Sequence, residues 1–73
     1  MKHYLLIFDR LHGELLEERE FLDGDEALEA RFAAEREGRP SHVEIVVLSA
    51  DSREDIRRTH SRYFMSLGEI ARG

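Results

Sequence analysis

The residues of this sequence that are best suited to bind a metal ion or to move protons are its histidines. They are His3, His12, His42 and His60. No two of them are four residues apart, the spacing that places two imidazoles side by side on one helix. Any site built from them must therefore be assembled by the fold from distant parts of the chain.

One such assembly follows if the end of the first predicted strand lies beside the start of the third. Asp9, His12 and His42 would then meet at one end of the sheet, and a carboxylate with two imidazoles can hold a divalent metal. The opposite end of the sheet would bring together a second group: His3, Asp51 and His60. Solvated loop residues are the simpler interpretation of the first group. For the second group it is a helix cap at Asp51 and an ordinary core-edge position for His60. We therefore assign no metal and no cofactor.

Neighbouring carboxylates are plentiful, but their positions do not indicate catalysis. Pairs such as Glu17-Glu18 and Asp25-Glu26 are adjacent in sequence on faces predicted to be exposed. General acid–base catalysis requires groups that converge in a concave pocket, and a small sheet with two helices has little room for one. The sequence also has no glycine-rich phosphate-binding motif. We therefore predict that the protein is not an enzyme.

The strongest charge pattern is a basic strip near the end of the chain. It consists of Arg53, Arg57, Arg58 and Arg62. The formal net charge of the chain is −5, made up of −6 over residues 1–38 and +1 over residues 39–73. Helical spacing would place the four arginines on one side of a helix, where they could dock a nucleic acid or an acidic partner. A solvated face neutralised by Glu54 and Asp55 is the alternative.

The elements that position these residues begin with a strand over Lys2–Asp9. Residues 4–8 are apolar at every position, which is typical of a strand covered on both faces. Gly13 can adopt the positive φ that a tight turn requires, so residues 14–22 are predicted to return as a second, antiparallel strand. Its four central charges favour the edge of the sheet. A helix over 14–22 is the competing interpretation.

A helix is predicted over residues 25–37, capped by Asp23 and stopped by Gly38, with Leu28 and Phe32 on its inward face. A β-branched strand over 43–48 follows. The last helix begins near residues 51–55, ends near Gly68, and turns one apolar stripe inward. The stripe consists of Ile56, His60, Tyr63, Phe64 and Leu67.

These elements predict one α+β domain over residues 1–68, with a tail over 69–73. The second strand, the helix and the third strand form a crossover unit, which makes the third strand parallel to the second, and such units are right-handed almost without exception. The simplest arrangement is a ββαβα fold with sheet order 2-1-3, the first strand antiparallel to both neighbours and both helices on one face.

That arrangement leaves one apolar face of the sheet uncovered. The first strand offers two sets of side chains for this face, Leu5 with Ile7 or Tyr4 with Leu6 and Phe8, and the sequence leaves the choice open. We name as interface residues Tyr4, Leu6, Phe8, Val46 and Leu48. Monomers rarely expose such a patch, so we predict association through the sheet face or edge, most simply as a twofold homodimer. A chain of 73 residues without cysteine cannot use disulfides to support its small core, which also favours association.

Two short segments are similar to the HicB-type antitoxins. Residues 1–8 resemble the Met-Lys-x-Tyr opening strand of that family, and residues 24–30 resemble its Gly-Asp-x-x-x-Glu-Ala helix entry. The Pro-Gly-containing third strand of the family is absent, and no helix-turn-helix module follows. The resemblance implies a partial RNase H-like fold and an acidic protein that neutralises a basic protein partner.

The sequence as a whole favours a non-catalytic, homo-oligomeric interaction or regulatory module. Nucleic-acid binding through the arginine strip and antitoxin-like binding of a basic protein are the alternatives. No apolar run approaches the roughly 18 to 20 residues of a membrane span, and the chain shows no signal-peptide pattern. We therefore expect a cytoplasmic protein that does not contact membranes.

Overall fold

The computed structural model describes residues 1–63, apart from the side chain of Arg62. Its elements, in chain order, are β1 (Lys2–Asp9), β2 (Glu14–Phe21), α1 (Gly24–Arg36), β3 (Val43–Ala50), α2 (Arg53–Thr59) and a 3₁₀ turn (Ser61–Tyr63). The sheet order is β2-β1-β3, with β1 antiparallel to both neighbours. The predicted α+β class, the ββαβα order of elements and the strand order are confirmed.

The hairpin between β1 and β2 forms as a strand pair, so the competing helix over residues 14–22 is excluded. Gly13 has a φ of 64°, a conformation that costs other residues free energy because of their Cβ atom. The pairing shifts register between Ile7 and Phe8, which indicates a β-bulge. The charged strand β2 lies at the edge of the sheet, as predicted.

Helix α1 has the predicted ends but turns a different face inward. The Asp23 side chain accepts a hydrogen bond from the Asp25 N–H at 2.9 Å, which caps the first turn. Ala27 and Ala34 are buried, whereas Leu28 and Phe32 are 43% and 52% exposed. The prediction that Leu28 and Phe32 point inward is wrong, because the small alanine side chains are the ones that approach the sheet.

Helix α2 is shorter than predicted. It is capped by the Ser52 hydroxyl, which accepts the Asp55 N–H at 3.3 Å, and it ends at Thr59. Ile56 and Tyr63 are buried as expected, but His60 is exposed. The other members of the predicted stripe and the domain boundary at residue 68 lie outside the described residues.

The two helices do not share one face of the sheet, which corrects that part of the predicted arrangement. Ile56 of α2 packs in one cluster with Tyr4, Leu6 and Phe8. Helix α1 begins on the opposite face. Its first residue, Gly24, lies against the imidazole of His3. Side chains of a strand alternate between faces, so His3 and Tyr4 point to opposite sides of the sheet.

Strand β1 is therefore covered on both sides by its own chain. The side chains on its second face, Leu5 and Ile7, are each 1% exposed, like those on the first. The open sheet face expected from the sequence is absent from the described part of the structure. Between residues 1 and 63, no helix is long and apolar enough to cross a membrane.

Candidate functional site

Asp9 is the central residue of a polar cluster at the hairpin end of the sheet. It is the last residue of β1 and is 7% exposed, the one charged residue among the most deeply buried side chains of the described chain. Its Oδ1 accepts hydrogen bonds from the backbone N–H groups of Leu11 at 2.9 Å and His12 at 3.0 Å. The turn that follows β1 therefore holds the carboxylate in a fixed orientation.

Two imidazoles meet this carboxylate. Nδ1 of His12 lies 2.6 Å from Oδ2 of Asp9, and Nε2 of His42 lies 3.8 Å from Oδ1. The two imidazole rings are 6.2 Å apart and nearly perpendicular. One ligand atom from each of the three residues lies within 4.8 Å of the other two. The predicted convergence of Asp9, His12 and His42 is confirmed.

Arg10 ties the segment that carries His42 to the hairpin. Its backbone N–H donates to the carbonyl of His42 at 2.9 Å, and its guanidinium donates to the carbonyl of Ser41 at 3.0 Å. The pairing of Asp9 with Val43 continues the same contact into the sheet. The strand order and these two hydrogen bonds explain why residues 30 positions apart in sequence become neighbours.

The charges of the cluster stabilise one another. The hydrogen bond from His12 lowers the pKa of Asp9 below its ordinary 3.8, although burial opposes this effect. The same hydrogen bond raises the pKa of His12 above its ordinary 6.5, with a further contribution from the negative charge of Asp9. The geometry thus favours a carboxylate paired with a positively charged group.

The cluster is open to solvent on one side. The side chain of Asp9 is 10% exposed, that of His42 37% and that of His12 65%. A small ion can therefore reach the carboxylate past the imidazoles. Such a group can exchange protons or hold a cation.

The second histidine group of the sequence does not form. Nδ1 of His3 lies 2.7 Å from the Ser49 hydroxyl, and the ring of His60 lies 6.4 Å from that of Tyr63. Within residues 1–63, only Asp9, His12 and His42 make a group of three with metal-binding geometry.

The residues assigned to a sheet-face interface lie in the core of the chain. Tyr4, Leu6 and Phe8 are 3% exposed or less and are covered by Ile56 and Tyr63. Val46 and Leu48 are half-buried on β3 and pack against the same core.

Three of the four arginines of the predicted strip, Arg53, Arg57 and Arg58, lie on α2. Nε of Arg53 binds the Glu18 carboxylate at 2.6 Å, and Arg58 binds Asp55 on its own helix at 3.0 Å. Arg57 and Arg58 are exposed. Because α2 ends at Thr59, Arg62 does not continue the helical spacing, and its side chain lies outside the described residues.

The outer edge of β3 is a further surface feature. Association through the sheet face or edge was predicted, but the interface residues named for it lie on the sheet face. Five of the eight residues of β2 are charged, whereas Glu44 is the only charged residue of β3. This difference in charge is visible in the sequence and could have indicated β3 as the less protected edge.

No family model, curated protein or solved structure matches this chain.

Proposed function

We propose that this protein is a non-catalytic, homo-oligomeric interaction module of the cytoplasm, and that its copies associate through the outer edge of β3. The observation that carries the proposal is the contrast between the two edges of the sheet. Within residues 1–63, no strand pairs with the outer edge of β3.

An edge strand presents unpaired N–H and C=O groups that can pair with another strand, and proteins protect such edges with charges. Strand β2 has this protection, with charged residues at Glu14 and from Glu17 to Glu20. Strand β3 has the sequence Val-Glu-Ile-Val-Val-Leu-Ser-Ala, and seven of its eight residues are only half-buried. Its composition supports pairing with a further strand.

A second copy of the chain is the partner that this edge fits best. Two identical strands that meet antiparallel about a twofold axis offer each other the same donors, acceptors and side chains. The middle of β3 consists of Val46 and Val47, so the centre of such a pair would be apolar and free of like-charge repulsion. The net charge of −5 on each chain is carried by other surfaces.

Helix α1 supports the same interpretation. It packs against β1 and β3, and it exposes Leu28 and Phe32 at 43% and 52%. Two large apolar side chains on the outside of a small domain favour burial in an assembly.

Nucleic-acid binding has less support, because Arg53 and Arg58 already bind acidic side chains of the same chain. The antitoxin-like alternative requires a basic protein partner in place of a second copy.

Size-exclusion chromatography with light scattering tests the proposal. At micromolar concentration we expect a particle of twice the 8.5 kDa chain mass. Val47→Lys places a charge in the proposed strand pair and should give a monomer, whereas Leu16→Lys, at a half-exposed position on the opposite edge, should leave the dimer intact. Circular dichroism verifies that both variants fold.

Amide hydrogen exchange provides a test that needs no variant. In a β3-paired dimer, the outward N–H groups of β3 should be protected, and dilution should remove that protection. The outward N–H groups of β2 are the internal control and should exchange quickly at every concentration. A monomer in which both edges exchange alike would overturn the proposal.

A further inference from the structure

We propose that Asp9, His12 and His42 form a binding site for one divalent transition-metal cation, with zinc as the preferred ion. The proposal rests on the geometry of these three residues alone, so it stands or fails independently of the proposed dimer.

The spacing of the ligand atoms fits this cation. Zinc bonds to imidazole nitrogen and carboxylate oxygen are about 2.1 Å long, so two ligand atoms in a tetrahedral site are about 3.4 Å apart. Nδ1 of His12 lies 2.6 Å from Oδ2 of Asp9, Nε2 of His42 lies 3.8 Å from Oδ1, and one ligand atom from each residue lies within 4.8 Å of the other two. Bringing three ligand atoms to tetrahedral spacing therefore takes movements on the order of 1 Å. The His12 side chain is 65% exposed, so its ring can adjust at the surface.

The ligand types decide the class of metal. Two imidazoles with one carboxylate suit zinc and neighbouring transition metals, whereas magnesium and calcium prefer sites made of oxygen atoms. Three protein ligands also leave at least one coordination position for water, as in zinc sites that are not purely structural.

Hydrogen bonds from neighbouring residues hold the ligands in place. Oδ1 of Asp9 is held by the backbone N–H groups of Leu11 and His12, which orients the carboxylate. Arg10 fixes the position of His42 through the carbonyls of His42 and Ser41. Such outer contacts align ligands before the ion arrives and strengthen its binding.

Burial and charge favour a cation here. The Asp9 carboxylate is nearly buried, and Glu14 adds negative charge near His12. The exposed imidazole of His12 and the half-buried imidazole of His42 form the entrance, so the ion can enter without opening the core.

Calorimetric titration of untagged protein with zinc chloride tests the proposal. We expect one ion per chain. In NMR spectra, the imidazole signals of His12 and His42 should shift on binding, while those of His3 and His60 should not.

Single variants identify the ligands. His12→Ala and His42→Ala should each lower the zinc affinity at least about tenfold, since even the loss of an outer-shell contact commonly costs tenfold to a hundredfold. Arg10→Ala should lower it by a smaller factor. His60→Ala is the matched control and should leave the affinity unchanged.

Equal zinc binding by the parent protein and by a His12→Ala/His42→Ala double variant would overturn the proposal. So would a titration in which His3 and His60 respond as strongly as His12 and His42. Circular dichroism of each variant separates lost affinity from lost folding.

Discussion

At the scale of single residues, Asp9 both stabilises the hairpin turn and forms the centre of the histidine cluster. Its Oδ1 accepts two backbone N–H groups of the turn, while its Oδ2 faces the imidazole of His12. One buried side chain thus fixes the turn and also assembles the histidine cluster. Its burial without a partner would be costly, and the hydrogen bonds offset that cost.

The Asp9–His12 pair predicts a pH window of added stability in metal-free buffer. Because folding lowers the pKa of Asp9, its carboxylate stabilises the fold at pH values above the ordinary pKa of 3.8, and this contribution is lost as the pH falls through the lowered pKa. Because folding raises the pKa of His12, its imidazolium stabilises the fold at pH values below the ordinary pKa of 6.5, and this contribution is lost as the pH rises through the raised pKa. Both contributions are fully present between pH 3.8 and pH 6.5.

Urea unfolding of the parent protein and of His12→Gln across this range measures the effect. Gln keeps a neutral hydrogen-bonding group but carries no charge, so the difference in free energy of unfolding should be largest inside the window and should shrink on both sides. His60→Gln, at an exposed position outside the cluster, is the control. A difference that does not vary with pH would rule out the charged pair as its cause.

At the scale of elements, α1 shows how packing decides which side of a helix faces inward. Ala27 is completely buried and Ala34 nearly so, which allows the helix to lie close to the sheet. The larger side chains of Leu28 and Phe32 remain on the outer side. Their size alone suggested the opposite orientation.

Two substitutions in α1 distinguish these orientations. Ala27→Leu should destabilise the fold by about 1–3 kcal/mol, because the added atoms have no space between helix and sheet. Leu28→Ala should cost less than about 1 kcal/mol in the monomer, whereas a fully buried leucine would cost about 2–5 kcal/mol. Thermal or urea unfolding measures both, and Ala33→Leu, at an exposed position of the same helix, is the control. A larger loss for Leu28→Ala than for Ala27→Leu would contradict the described packing.

At the scale of the whole molecule, residues 1–63 form a sheet that is covered on both faces and whose two edge strands, β2 and β3, pair with no further strand of that segment. Helices α1 and α2 cover opposite sides of β1, and charged residues protect β2. The half-buried, nearly uncharged strand β3 is the part of this surface most suited to pairing with another chain.

Association through that edge predicts a concentration-dependent unfolding temperature. A dimer is favoured by mass action, so the unfolding temperature should rise with protein concentration. Calorimetry at several concentrations measures this rise, and Val47→Lys should abolish it while Leu16→Lys should not. A parent protein whose unfolding temperature stays constant over the whole range would contradict association.

Much of the fold follows from local sequence signals. Gly13 and the charges of β2 predict the hairpin and its edge position, and Asp23 and the capping residues within 51–55 predict the starts of both helices. The short hairpin places β2 beside β1, and the helical crossover makes β3 parallel to β2. The simplest arrangement of these strands is the order β2-β1-β3. That order was sufficient to predict that Asp9, His12 and His42 could meet.

The sequence by itself determined the strands, the helix starts, the sheet order and the composition of the two edges, because each depends on neighbouring residues or on chain connectivity. Only the tertiary structure decided that the helices lie on opposite faces, that alanines face the sheet, and that Arg10 holds His42 beside Asp9. The apolar run of β1 needs cover on both faces, but its pattern does not say which helix supplies which cover. That choice depends on how side-chain volumes fit together in three dimensions.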